Sequence, residues 1–384
     1  MSRIKTLFWY WGRKGGGARY AMEIARPLAQ HPSLDLHLSV SRQSDFFDGY
    51  PSLPPDHLLP IDTYTNGVEA LVRSLGLPLL RKRFGDFLHR HAIEVVYSPM
   101  SHLWNSAMLD LLDRPRRIPY LLTVHDARLH AGEGFLPHQW LLSHENRRAD
   151  CFVVLSDHVK KNLVGQGFRP EMIRTIPHGI FDYQTPDAPA PAPRRLPDGR
   201  PVHLLFFGRI LAYKGLDLLL EAFEALVHKN FPVVLTIAGS GSLQPYRHWL
   251  DRHPDRILIQ NDWIAEEDIG GYFDRADILV TPYREASQSG VIPIALGKGV
   301  PIIATPVGGL AEQFADGQEG LLSRDTSAGA LSGALTTLLN DPALYARLSE
   351  GALTRSRSHS WSGCADLVAG ELVRLSGRKP VSGH

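Results

Sequence analysis

Residues 202–215 read VHLLFFGRILAYKG. Val202–Phe207 is an almost unbroken apolar run that stops at Gly208, as a strand buried on both faces does. Arg209 and Lys214 follow, Gly208 and Gly215 frame them, and Leu216–Val227 then carries apolar residues at helical spacing. A strand, a glycine-framed turn and a helix make the first part of a βαβ unit. The stretch therefore predicts an α/β protein with a parallel sheet covered on both faces. Two cations at the carboxyl end of such a strand suit a diphosphate, arginine as a planar fork and lysine as a point charge. The plain alternative is a pair of solvated loop cations.

The same alternation runs along the whole chain. Upstream, the apolar runs are Ile4–Trp11, Leu34–Val40, Glu94–Ser98, Tyr120–His125 and Cys151–Ser156. Downstream of the first strand they are Val233–Gly239, Arg256–Gln260, Asp277–Thr281 and Pro301–Thr305. Helical patterns such as Gly16–Ala29 and Ile269–Arg275 lie between them, and three amphipathic stretches without strands close the chain. Residues 183–200, YQTPDAPAPAPRRLPDGR, have no hydrophobic period and read as an extended linker. The expected organisation is a first domain over 1–182, a linker over 183–200, a second domain over 201–360 and a tail over 361–384.

The 384 residues hold 41 Lys+Arg and 40 Asp+Glu, a net charge of +1 that gives no reason to expect nucleic acid. Divided at Asp182 the balance changes. The first part holds 22 Lys+Arg against 18 Asp+Glu, the rest 19 against 22. A hydrophobic content of 43% excludes a disordered or collagen-like chain. Two Cys cannot form a disulfide framework and suit a reducing compartment. No apolar run reaches the roughly 20 residues of a spanning helix, and the N-terminus lacks a signal-peptide pattern. A cytoplasmic protein is expected.

Four further stretches carry chemistry. Gly15, Gly16 and Gly17 follow the first strand and precede a helix expected from about Ala18, a turn that exposes N–H groups to phosphate or serves only packing. IAGSGS (237–242) places Gly239 at another strand end. In EASQSGVIPIALGKGVPIIATPVGGLAE (285–312), Ser287, Gln288, Ser289 and Gly290 form a loop before a helix from Val291, with N–H groups and hydroxyls expected to face an anion. TVHD (123–126) ends a strand on His125, which can hydrogen-bond a sugar hydroxyl, handle a proton or be structural.

Taken in order these motifs resemble the family 4 glycosyltransferases. The matching pieces are the Gly15–Gly17 loop, TVHD, ADCFVVLSDHVKKNL (149–163), IPHGI (176–180), GRILAYKG (208–215), IAGSG (237–241), ADILVTPY (276–283) and GKGVPIIATPVGGLAE (297–312). The resemblance implies the GT-B fold: two Rossmann-like parallel-sheet domains facing an interdomain cleft, with a C-terminal helix, preceded by Trp361, crossing back to the first domain. It implies a retaining transferase that moves a hexose-type sugar from a nucleotide-diphosphate donor to a glycan or polyprenyl-linked acceptor in cell-envelope or exopolysaccharide synthesis. Arg209 and Lys214 would bind the diphosphate and His125 the donor sugar. The Gly15–Gly17 loop would approach the phosphate and acceptor, and Ile264 would lie by the base. The family's pair of glutamates aligns with Ala286 and Ile294. Glu285, one residue away, is the candidate for the first, and nothing replaces the second, which contacts ribose in the family.

The leaving phosphate of such a reaction can help deprotonate the acceptor, so no protein nucleophile is needed. No D-x-D triplet suggests a donor-coordinating metal, and no cofactor or metal is expected. A nucleotide-sugar epimerase on the same fold, or a non-catalytic nucleotide-sugar binder, are the competing readings. GLPLLRKRFGDFLHRH (76–91) combines Arg81, Lys82, Arg83 and Arg90 with Leu79, Leu80, Phe84, Phe87 and Leu88. It reads either as a core-facing helix with a solvated cationic face or as a peripheral contact, through the Leu79–Phe87 region, with an anionic membrane.

Overall fold

The structure is a computed structural model that describes residues 3–113, 115–127, 136–183 and 190–377. Two compact units divide it, one running to His178 and resuming at Trp361, the other spanning Gly179–Ser360.

In the first unit the order is β1 (Ile4–Tyr10), α1 (Gly15–Gln30), β2 (Leu34–Ser41), β3 (Leu58–Ile61), α2 (Gly67–Ser74), α3 (Leu77–Arg90), β4 (Val95–Ser98), β5 (Tyr120–Val124), α4 (Leu136–Arg148), β6 (Cys151–Val154), α5 (Asp157–Gly165) and β7 (Ile173–Thr175). The second holds β8 (Val202–Phe207), α6 (Leu216–His228), β9 (Val233–Ala238), α7 (Arg247–Leu250), β10 (Ile257–Gln260), α8 (Glu266–Arg275), β11 (Ile278–Thr281), α9 (Val291–Gly297), β12 (Ile302–Ala304), β13 (Gly320–Leu322), α10 (Ala328–Leu339) and α11 (Pro342–Ser358). The last helix, α12 (Trp361–Leu375), packs on α1 of the first unit.

The first sheet has the order β3-β2-β1-β4-β5-β6-β7 and the second β10-β9-β8-β11-β12-β13, with every pairing parallel. Both are doubly wound sheets whose strand order reverses beside their first strand. Ligands of such sheets bind outside the carboxyl ends of the strands at that reversal. It falls between β1 and β4 in one unit and between β8 and β11 in the other.

The strands read as buried in the sequence are buried here except β10, an edge strand that exposes Leu258 and Ile259, and Trp9, Trp11 and Phe84 fill the first core. Three strands lie outside the runs read above: β3, β7 and β13, all at sheet edges. Pairing on one side only asks for short segments with no sustained apolar run, and β3 even contains Pro60. Helix α1 starts at Gly15, not near Ala18, because Gly15 itself (φ 71°) makes the turn out of the loop.

Residues 184–189 of the expected linker lie outside the described residues. The remainder is no free spacer. Arg194 donates to the carbonyls of Lys298, Ala276 and Phe273, its backbone N–H bonds Ser349, and Arg200 forms a two-pronged pair with Asp277 at 2.7 and 2.8 Å. The Pro/Ala-rich composition hid these two anchoring arginines.

Helix α3 also settles which of its faces is used. Leu80, Phe84, Phe87 and Leu88 are buried in the first core, Arg81 pairs with Asp110, and Lys82 pairs with Asp86. The Leu79–Phe87 region therefore cannot offer that apolar face to a membrane; only Leu79 of the five is exposed. Among the described residues no helix is long and apolar enough to cross a membrane.

Candidate functional site

In the second unit, the loop after β8 and the loop after β11 meet at the strand-order reversal. Lys214 donates from Nζ to the Tyr283 hydroxyl at 3.1 Å, and that hydroxyl lies 3.2 Å from Ser289 Oγ. Tyr283 is buried, and its carbonyl accepts from Thr305 Oγ1. Arg284 ties the same loops twice, through its N–H to the Tyr213 carbonyl at 2.7 Å and its guanidinium to Asp217. Lys214 is thus half-buried and fixed, while Arg209 is exposed at the end of β8.

Two glycines make this geometry possible. Gly215 has φ 65°, and a Cβ on it would stand 2.0 Å from the Pro282 carbonyl oxygen. A Cβ on Gly239 would stand 2.1 Å from the Gly208 carbonyl oxygen, so the ends of β8 and β9 can touch only without a side chain there. Gly208, with φ 111°, leaves the Lys214 ammonium next to bare backbone.

The loop before α9 differs from its reading in the sequence. Ser289 N–H donates to Gln313 Oε1 at 2.6 Å, and Gln313 Nε2 donates back to the Ser289 carbonyl at 2.9 Å. The Ser289 backbone is therefore committed to Gln313, while its hydroxyl stands beside Tyr283 next to Lys214. Ser287 is buried, Gln288 keeps a buried Oε1 without a partner, Gly290 precedes α9, and Val291 begins it. Glu285 is exposed beside this loop, whereas Ala286 and Ile294 are buried. Ile264 is half-buried between β10 and α8, next to the exposed Trp263.

In the first unit the loop after β1 is glycine-rich and also cationic, with half-buried Arg13 and exposed Lys14 just before Gly15. No side chain caps the N-terminus of α1. A Cβ on Gly17 would meet Met100 Sδ at 2.4 Å, but one on Gly16 would meet nothing within 4 Å. Packing inside the protein explains Gly17 and not Gly16.

His125 follows β5. It is buried, with Nε2 2.9 Å from the Pro99 carbonyl and its ring edge-on to Tyr20 at 4.8 Å. Assigned as the donor to that carbonyl, Nε2–H leaves Nδ1 as the lone-pair atom. Burial lowers the His125 pKa, so the ring is neutral at neutral pH. Behind it, Tyr97 and Thr123 share a 2.9 Å hydrogen bond, and Tyr20 packs on His178 and Trp361, the residue that opens α12. His125, Thr123, Asp126, Met100, Asn146 and Gln166 line a cavity of about 190 Å³. That is below the roughly 300–1,000 Å³ of a typical ligand cleft, so it suits a fragment such as one sugar ring.

The sequence points to His125, Arg209 and Lys214 but not to Tyr20, Tyr97, Tyr283 or Gln313, which hold them and their loops. The only trace of Tyr283 was its place at the end of ADILVTPY.

The chain matches two family models, "Glycosyl transferase 4-like domain" over residues 15–179 and "Glycosyl transferases group 1" over residues 201–341. It is 27% identical over 308 residues to a D-inositol 3-phosphate glycosyltransferase of Xylanimonas cellulosilytica, covering 73% of this chain and 72% of that one. It is 28% identical over 268 residues to a glycogen synthase of Mycobacterium tuberculosis, covering 66% of this chain and 62% of that one. Its structure resembles a crystal structure of HepE from Anabaena in complex with UDP, with a TM-score of 0.72 and 18% identity over 97% of this chain and all of that one. Two doubly wound parallel sheets, the glycine-framed cation pair and these matches agree: the chain belongs to the group 1, family 4 glycosyltransferases and has the GT-B fold.

Proposed function

We propose that the protein is a retaining, metal-independent glycosyltransferase that moves a hexose-type sugar from a nucleoside-diphosphate donor to a glycan or lipid-linked acceptor. The carrying observation is the cation pair at the carboxyl end of β8, with Lys214 locked by Tyr283 and Arg209 exposed beside Gly208. Negative charge grows on the diphosphate as the sugar leaves. Fixed cations stabilise that charge more in the transition state than in the ground state, without reorganising during the reaction. The crystal structure of HepE with bound UDP adds support for such a donor.

In this reading His125 is an orienting group. A neutral ring with Nε2 committed to Pro99 accepts a hydroxyl hydrogen at Nδ1 and positions a sugar in the cavity. Gly16 leaves room for a phosphate or acceptor against the first turn of α1. Glu285 takes the first of the family's two glutamate roles, and Ile294 leaves ribose recognition to other groups.

The acceptor side draws on a different surface from the one the sequence suggested. Val68, Leu71, Val72, Leu75 and Leu79 are all exposed at helical spacing along α2 and the start of α3, followed by the exposed cations Lys82 and Arg83. An apolar stripe bordered by cations suits an anionic membrane at the cytoplasmic face, where a polyprenyl-linked acceptor would be found. Flotation with anionic vesicles at low salt tests this contact, and no binding removes it.

The function itself is tested by incubating the protein with uridine, guanosine and adenosine diphosphate sugars, each with and without sugar acceptors. Transfer from one donor with retained anomeric configuration is expected. A donor sugar altered without any acceptor indicates an epimerase, and a thermal shift with no turnover of any donor indicates a binder.

A further inference from the structure

Near the N-terminal ends of β2 and β3 four polar residues gather from separate parts of the chain. Asp35 and His37 lie two apart on β2, His57 ends the short 3-10 turn before β3, and His91 follows the last residue of α3. The strands are parallel, so this is the opposite end of the sheet from His125 and the glycine turn after β1. Neither belongs to this cluster.

One potential ligand atom from each of Asp35, His37 and His57 lies within 4.8 Å of the other two. The His37 and His57 rings stack 3.9 Å apart, and the His91 ring lies 4.7 Å from His37 and 5.9 Å from His57. The Nδ1 atoms of His37 and His57 are each 3.2 Å from a backbone carbonyl, of Asp35 and Leu36. Assigned as donors there, both rings keep Nε2 as the lone-pair atom. That is how ligating histidines are usually oriented, one ring N–H held by a carbonyl or carboxylate and the other nitrogen on the metal. The His57 atom that faces Asp35 is Nδ1, 3.7 Å from Oδ1, so this ring turns to present Nε2. His91 is 9% exposed, and its buried Nε2 has no hydrogen-bond partner. A buried imidazole nitrogen left unsatisfied is uncommon and calls for an explanation.

We propose that Asp35, His37, His57 and His91 form a binding site for one divalent transition metal of the zinc type. Three imidazole nitrogens and one carboxylate oxygen are a four-ligand set for tetrahedral zinc, and the imidazoles disfavour magnesium or calcium. His37 is nearly sealed, whereas His57 and Asp35 are partly exposed and give the ion its entry. Zinc–nitrogen bonds of about 2.0–2.1 Å need the ligand atoms closer than they stand. His57, on its short turn, is the ring that leaves the stack to close the site. The bound ion clips β2, the turn before β3 and the end of α3 together, remote from the groups assigned to transfer.

The test uses full-length, tag-free protein, stripped with a chelator and titrated with zinc chloride by calorimetry. A parallel titration with cobalt reads the visible absorption of tetrahedral cobalt. One ion per chain, a raised unfolding temperature and a tetrahedral cobalt spectrum are expected. His57→Ala and Asp35→Asn, both at partly exposed positions and checked for folding by circular dichroism, should each weaken zinc binding at least about tenfold. Absence of one-to-one binding, or one-to-one binding that neither substitution weakens, overturns the site.

Discussion

The two sheets share one strand order and each carries two cations in the loop at its reversal point, yet the two pairs are held differently. In the first unit, which is the more basic part of the chain, Arg13 lies over the Tyr64 ring and Lys14 is exposed before an uncapped helix N-terminus with bare Gly16, and one strand further along stands a neutral buried His125. In the second, more acidic unit the same position holds Arg209 and Lys214, with Lys214 held by a buried tyrosine. Net charge differs between the units while both loops carry two cations, so net charge does not report local charge. An anion site depends on a few fixed cations and on the absence of side chains beside them, because charges beyond about 10 Å are screened at physiological salt.

The sharpest way to break this contrast is to remove the cations. Lys214→Ala should lower kcat/KM roughly 10²–10³-fold, the usual loss for one donor to developing charge, with the unfolding temperature little changed. Arg209→Ala should lower it in the same direction. Steady-state kinetics on the donor identified by the transfer assay checks both. In the first unit, His125→Ala should cost about 10²-fold in turnover if the ring orients a sugar hydroxyl. Its activity profile supplies a second reading. Burial depresses the His125 pKa, so activity should show no limb from this group near its ordinary pKa of about 6.5. The same depression means that the unfolded chain binds the proton more readily. The stability contributed by neutral His125 is present above pH ~6.5 and lost as pH falls below it.

How much of this was open to sequence reading follows from where each signal lies. Val202–Phe207, with glycine and cations behind it, is a local pattern, and so are the other central strands, whose two buried faces leave continuous apolar runs. The edge strands β3, β7 and β13 have no such run. Gly239 and Gly215 were readable as glycines, but what they avoid, the carbonyls of Gly208 and Pro282, is set by strands paired in three dimensions. Tyr283, Gln313 and Tyr20 act across elements, so no spacing announces them. The basic helix α3 misled in part because its apolar residues are periodic whether they face a core or a lipid. Only packing distinguishes the two.

Smaller effects sharpen the comparison. Tyr283→Phe keeps the ring and deletes the hydroxyl between Lys214 and Ser289. It should raise KM or lower kcat about three- to tenfold, the equivalent of one hydrogen bond of about 0.5–1.5 kcal/mol. Gly16→Ala adds a methyl group where the protein leaves space and where helix propensity favours it. Stability should be unchanged or up to about 1 kcal/mol higher, while turnover falls, as thermal melts and kinetics together will show. The smallest change expected is Glu145→Gln. Glu145 accepts from Asn105 and Tyr120 at 2.7 and 2.6 Å, and burial raises its pKa. A raised acid means that the folded state holds the proton better, so its stability declines as pH rises from the ordinary carboxyl range through that raised pKa. The glutamine variant should lose that decline in melts between pH 5 and 8.

The central claim is that Arg209 and Lys214 hold a diphosphate at the end of β8. Calorimetric titration of UDP and GDP into the wild-type protein, Arg209→Ala and Lys214→Ala measures it most directly. The account predicts that one of the two nucleotides binds and that each substitution weakens it at least about tenfold, or about 1.4 kcal/mol. A dissociation constant unchanged in both variants would contradict it.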